Sequence, residues 1–209
     1  MRKLTICGHD VCFYSLVLPK EPSSTQKSAA EFLGRVIRSG CGLTLPVAED
    51  APLAIRIGTR GAAPEIRWDG FRIDAQDGQV FLDGNLDRGT LYAAFSFAER
   101  FLGYRRFTDD LEVIPETGEA SVPEGFHALE NPGFEGRRTT CYHHVRSGEF
   151  SAHHRLNDSL PVPEELGGTV NFPGDCHSFY KLIPADVYFK DHPEYYSLWN
   201  GERLPCRDC

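Results

Sequence analysis

The seven cysteines and eight histidines of this 209-residue chain are its residues best suited to chemistry. Cys206-x-x-Cys209 has the spacing of half a structural zinc site. Completing it takes two more ligands, and the sequence holds no second Cys-x-x-Cys. Cys141, His143, His144, Cys176 and His177 are available, but their spacing matches no standard zinc module, so no metal is expected. A redox Cys-x-x-Cys works at a helix N-terminus, where the dipole lowers a thiol pKa, and nothing after Cys209 in this sequence supplies that helix. Six of the eight histidines lie beyond residue 140, in "CYHH", "AHHRLN", "DCHSFYK" and "DHPEYY". They are mixed with Tyr142, Phe179, Tyr180, Tyr188, Tyr195, Tyr196 and Trp199. Rings that cover C–H faces, with polar groups that read hydroxyls, suit a sugar site. Core packing accounts for most of those aromatics equally well.

Glycoside hydrolysis needs two carboxylates flanking one bond. Asp158, Asp175, Asp191, Glu194 and Glu202 are present in the second half, but no spacing selects a pair, so the catalytic residues are unassigned. "GTRGAAPE" lacks the Lys-Ser/Thr of a phosphate loop and the dinucleotide pattern of glycines, and no cofactor is expected. Asn157-Asp158-Ser159 is formally a glycosylation sequon and is read as chance.

Composition narrows the class. Apolar residues make up 41% of the chain, enough for a packed core. A net charge of -8 argues against a general partner among nucleic acids or anionic membranes, both of which want a basic face. No apolar run approaches the roughly 18 residues of a membrane span. His9 and Asp10 interrupt the early apolar stretch, so no signal peptide is read and a cytoplasmic protein with free thiols is expected.

The elements that would position such residues change character along the chain. "KLTIC" and "CFYSLVL" read as strands around a Gly8-His9-Asp10 turn. Ala29, Phe32, Leu33, Val36 and Ile37 form a helical stripe, with Ser23, Ser24 or Thr25 as cap and Gly40 or Gly42 as stop. "LAIRIGT", "GFRIDAQ" and "QVFLDGN" read as strands, the last two joined by Asp77-Gly78, a strong hairpin signal. Leu91, Phe95, Ala98 and Leu102 mark a second helix, stopped by Gly103, after which "LEVIP" returns to the sheet. This order predicts an α/β fold, a mixed β-sheet with helices packed on it, over residues 1–118. The Pro-, Gly- and Glu-rich stretch that follows reads as a linker over 119–134. In 135–209 the regular periods fade; "RRTTCYHH" is expected as a strand and 184–190 as a short helix or turn.

Several stretches together resemble one family. "LTICGHDVCFYSLVLPKE", "SAAEFLGRVIRSGCGLTLPV", "IRIGT", "DGFRI" and "VFLDGNLDRGTLYAAFSFAERFLGYRRF" are similar to the N-terminal domain that precedes α-glucuronidase-type barrels. "CHSFYKLIPADVYFKDHPEYYSLWNGER" resembles the entry to the large domain of a bacterial family known as domain of unknown function 4838. The resemblance implies an N-terminal domain like the non-catalytic α/β domain of glycoside hydrolase family 67 and of β-hexosaminidases. It implies that 135–209 form the first part of an incomplete (β/α)8 barrel-like domain, since a whole barrel takes about 250 residues. The chain then reads as a truncated, N-terminal portion of a glycoside hydrolase-like protein, carbohydrate-related but without catalysis of its own. The alternative is a stand-alone carbohydrate-binding or assembly module. By matching motif, Arg155, Asn157, His177, Tyr180, His192 and Tyr195 are the residues expected to contribute to a glycan pocket. Uncovered strand edges of the incomplete domain would favour self-association.

Overall fold

In the computed structural model, which describes residues 1–158, 162–170 and 178–205, tight left-handed turns set the first strands in place. β1 (Lys3–Ile6) turns through Cys7 and Gly8, both at positive φ, into β2 (His9–Asp10). A 3-10 turn leads to β3 (Ser15–Val17). α1 (Ser24–Cys41) starts at a capping box: Gln26 N–H donates to the Ser23 hydroxyl at 3.2 Å, and Ser23 N–H to the Gln26 side chain at 3.0 Å. It stops at Gly42, left-handed at φ 70, and its predicted stripe is buried throughout.

β4 (Val47–Ala48) and β5 (Ala54–Ile57) follow, then β6 (Phe71–Gln76) and β7 (Gln79–Gly84). Asp77 and Gly78 join the last two with φ of 53 and 71, the two positive values of a type I′ hairpin. α2 (Asp87–Phe97) continues into a π turn, Ala98–Leu102, that ends at left-handed Gly103. β8 (Arg105–Arg106) pairs with β9 (Glu112–Val113) in a separate hairpin, so "LEVIP" does not rejoin the main sheet. Residues 119–134, expected as a linker, instead supply two strands. β10 (Glu119–Val122) lies parallel to β1, and β11 (His127–Glu130) antiparallel to β6. The main sheet has the order β11-β6-β7-β5-β3-β4, parallel from β7 to β4 and antiparallel at the other edge.

Strand alternation gives this sheet one apolar and one polar face. Ile73 opposite Leu82 and Ala75 opposite Val80 are buried in one core with Phe32, Leu33, Val36 and Ile37 of α1 and Leu91 and Phe95 of α2. The pairs Arg72–Asp83 and Asp74–Phe81 point the other way. There Arg60 reaches Asp83 at 2.7 Å, also pairs with Asp74, and lies over the Phe81 ring at 4.1 Å. Burial pushes the Asp74 carboxyl up, but hydrogen bonds from His127 and Arg60 outweigh it and hold the group below its ordinary range. At the start of α2 the backbone comes very close: a Cβ on Gly89 would collide with the Gly70 carbonyl oxygen, so only glycine fits there.

Two compact units divide the chain, Met1–Val170 and Asn171–Cys209. The first therefore runs past the expected domain boundary. "RRTTCYHH" forms no strand among the described residues. Its second half is helical, in α3 (Tyr142–Arg146), because Val145 N–H bonds back to the Cys141 carbonyl at 3.0 Å. α4 (Gly148–His153) buries Phe150, Ala152 and His153. The His153 ring stacks on Phe95 at 4.1 Å, meets Phe32 edge-on at 5.4 Å, and lies 3.3 Å from the Tyr104 hydroxyl.

The second unit, described over 178–205, is built from short pieces. α5 (Phe179–Leu182) and α6 (Ala185–Tyr188) precede a 3-10 turn, Pro193–Tyr195. β12 (Leu198–Trp199) and β13 (Glu202–Arg203) then pair around Asn200 and Gly201, both at positive φ. Tyr196 is its anchor: the hydroxyl donates to the Ile183 carbonyl at 3.1 Å and the ring meets Phe189 at 5.1 Å.

His153 yields a pH prediction. Burial, then the charges of Arg106 and Arg35, push its imidazole down to about 3. In the unfolded chain the ring titrates near 6.5. Between those values only the unfolded state takes the proton, so this contribution to stability is complete above about pH 6.5 and is lost as pH falls. Urea midpoints should drop between about pH 6.5 and pH 4.5, above the range of most carboxylates. His153→Gln should flatten that slope; an unchanged slope contradicts the assignment.

Candidate functional site

One buried carboxylate gathers the polar groups of the first unit. Asp69 sits in the turn before β6 and is 2% exposed. Its Oδ2 accepts from Arg137 Nη2 at 2.6 Å and from Asn157 Nδ2 at 3.0 Å, and Arg88 Nη1 stands 3.8 Å away. Arg88 comes from the first turn of α2 and also donates to the carbonyls of Gly167 and Gly168. The Arg137 guanidinium is held on its other edges too: its Nε donates to the Arg155 carbonyl at 2.7 Å and its Nη1 to the Phe134 carbonyl at 2.8 Å. Asn157, 1% exposed, accepts from Arg137 N–H at 2.8 Å and donates to the Glu135 carbonyl at 2.8 Å. Three segments distant in sequence are thus fastened at one carboxylate.

Beside this junction is a cavity of about 200 Å³. Asp69, Tyr92, Glu130, Asn131, His154 and Arg155 are among the residues that line it, with Phe71 and Pro132 as apolar wall. Burial pushes the Tyr92 phenol up to about 12, helped by the Asp69 charge, so it is a neutral hydroxyl in any ordinary buffer. Arg155 is held at φ 59 and pairs with Glu99 at 2.6 Å.

The expected pocket residues divide between the two units. Arg155 lines the cavity, whereas Asn157 supports it from behind with its side chain taken up by protein partners. Tyr180 is in α5, half-buried. His192 and Tyr195 stack with ring centres 4.7 Å apart, and the His192 imidazole lies 3.0 Å from the Glu194 carboxylate. His177, with Cys176, Cys206 and Cys209, lies outside the described residues. Asp69, Arg88, Tyr92 and Arg137 were not singled out from the sequence. The signal available was the polar residues of "DGFRI", "DRGTLYA" and "RRTTCYHH", whose patterns speak of strand and helix rather than of chemistry.

Among the described residues, the buried carboxylates Asp69, Asp74 and Asp83 all face arginines. Among the described residues no group of three or more His, Cys, Asp or Glu side chains could hold a metal ion, and no helix is long and apolar enough to cross a membrane.

Residues 106–209 match the model of a family described as a domain of unknown function, DUF4838. No curated protein matches the chain. Among solved structures, the GH20 β-N-acetylhexosaminidase of Streptomyces coelicolor A3(2) is similar at a TM-score of 0.50 and 14% identity, over 75% of this chain and 30% of that one. A GH115 4-O-methyl-α-glucuronidase, BtGH115A, gives a TM-score of 0.49 and 13% identity, over 74% of this chain and 24% of that one. The β-hexosaminidase of Streptomyces plicatus gives 0.47 and 14%, over 75% and 30%. The chain thus spans about a third or less of the length of these structures.

The junction makes a testable claim on stability. Asn157→Ala removes three hydrogen bonds, to Asp69, the Arg137 amide and the Glu135 carbonyl, and should destabilise the first unit by about 2–3 kcal/mol in urea unfolding. A change within about 0.5 kcal/mol, the usual effect of a surface substitution, contradicts the role given to Asn157.

Proposed function

We propose that this chain, whose residues 106–209 match the DUF4838 model, is the N-terminal portion of a glycoside hydrolase-like protein acting on carbohydrate. In that role these 209 residues bind or position a glycan and do not hydrolyse it. The observation that carries this is the span of the fold likeness, three-quarters of this chain on less than a third of a hexosaminidase. In this proposal 1–118, with the strands β10 and β11 that complete their sheets, correspond to the α/β domain that precedes such barrels, and 135–209 to the opening of the barrel-like domain. Those later residues amount to about a third of the roughly 250 that a closed barrel takes. The arginine partners of Asp69, Asp74 and Asp83 support structural rather than catalytic duty for these acids.

Within the first unit, Arg155 would contribute to a sugar-binding surface, with Asn157 holding it in place. Within the second, taken by itself, Tyr180, His192 and Tyr195 would contribute to sugar contact, and the exposed Tyr195 ring offers a face for sugar C–H groups. An alternative role as a stand-alone binding or assembly module is favoured by one feature. The first unit has a continuous core running from Leu4 to Val122 that draws on α1, α2 and the main sheet.

Affinity electrophoresis of the purified chain against uronic-acid and hexosamine oligosaccharides tests the proposal. Retardation by at least one class, with no reducing ends released, is the expected result. No retardation by any of them contradicts the carbohydrate role, and released sugar contradicts the non-catalytic one.

A further inference from the structure

Resting on the carbohydrate role above, we propose that the cavity beside Asp69 is a binding site for one neutral, polyhydroxylated ring, held through a pair of adjacent hydroxyl groups. Three residues that line this cavity carry buried polar atoms without a well-formed hydrogen bond to protein: Asp69 Oδ1, Arg155 Nε and the Tyr92 hydroxyl, the last beside the Arg137 guanidinium. Buried polar atoms without such a bond are uncommon in folded proteins, and three around one small cavity mark a place where a partner is accommodated. They form a complementary set. The carboxylate oxygen only accepts, the guanidinium N–H only donates, and the phenol does either. A hydroxyl group donates once and accepts twice, so two neighbouring hydroxyls can satisfy all three atoms.

Charge and size narrow the ligand further. Two carboxylates, Asp69 and Glu130, and two guanidiniums, Arg137 and Arg155, line the same walls. The charges of these four side chains cancel, so they do not select a uronate or a phosphate, and either anion would face Asp69. Phe71 and Pro132 give an apolar wall for the C–H face of a ring. The volume of about 200 Å³ equals that of six or seven liquid waters at about 30 Å³ each. It falls below the roughly 300–1,000 Å³ of sites for drug-sized ligands, which fits a single ring rather than an oligosaccharide.

The test uses the full chain and two probes, methyl glucopyranoside and methyl glucuronide, followed by amide NMR titration. The neutral glycoside should give saturable shifts at Gly70, Phe71, Tyr92 and Arg155, with a dissociation constant at least tenfold below that of the glucuronide. Tyr92→Phe, which removes one of these three atoms and keeps the ring, should weaken the glycoside about tenfold without loss of fold. Tighter binding of the glucuronide overturns the proposal, as does unchanged affinity in Tyr92→Phe. Absence of shifts at these amides, meaning that the cavity holds water only, overturns it as well. If these fail while oligosaccharides still retard the chain, only this site is wrong. If both fail, the carbohydrate role falls with it.

Discussion

The first unit depends on the burial of one negative charge. A carboxylate removed from water is tolerated only when paired and hydrogen-bonded. Asp69 meets that condition by drawing Arg137 and Asn157 from beyond residue 134, and Arg88 from α2, to a single oxygen. The constraint is mutual. Arg137 sets its charge against this one carboxylate, and loss of the Asn157 side chain would leave the Arg137 amide and the Glu135 carbonyl without their partner. Residues 135–170 are therefore not free to hang from the N-terminal sheet, and the cavity acquires fixed walls as a by-product of this pairing.

Hydrophobic packing secures the same join from another side. Phe32 of α1 and Phe95 of α2 clasp the His153 ring of α4, and Tyr104 supplies its polar partner. An imidazole in that setting stays neutral, so it packs as an aromatic ring and not as a cation. On the opposite face of the sheet, Arg60, Asp74 and Asp83 form a covering of ion pairs, where a second layer of helices would call for apolar residues.

Local rules wrote much of this fold into the sequence. The Ser23 cap, Gly42, the Asp77-Gly78 hairpin and Gly103 each answer to a short-range backbone demand, and each was legible from its neighbours. What was illegible depended on distant partners. "EASV" became a strand only because β1 offers it a parallel edge, which no local pattern announces. "RRTTCYHH" looks β-rich, but the backbone of Arg137 is claimed by Asn157 and the residues after Cys141 close a helical turn. Asn200-Gly201 was a local hairpin signal that the family motif overshadowed. Of the site, Arg155 and Asn157 were reached by resemblance. Asp69 and Tyr92 were not, since a single Asp or Tyr has no pattern until the fold surrounds it.

The central claim is that residues 135–170 and the N-terminal sheet open as one cooperative body joined at Asp69. Native-state hydrogen exchange tests it most directly, at the amides of Arg137, Asn157 and Val170, which are bonded to Asn157 Oδ1, the Arg137 carbonyl and the Asn157 carbonyl. These amides should exchange with the same opening free energy as the paired amides of β6 and β7. Exchange at a distinctly lower free energy, with β6 and β7 still protected, would show that the two parts open separately and would contradict the account.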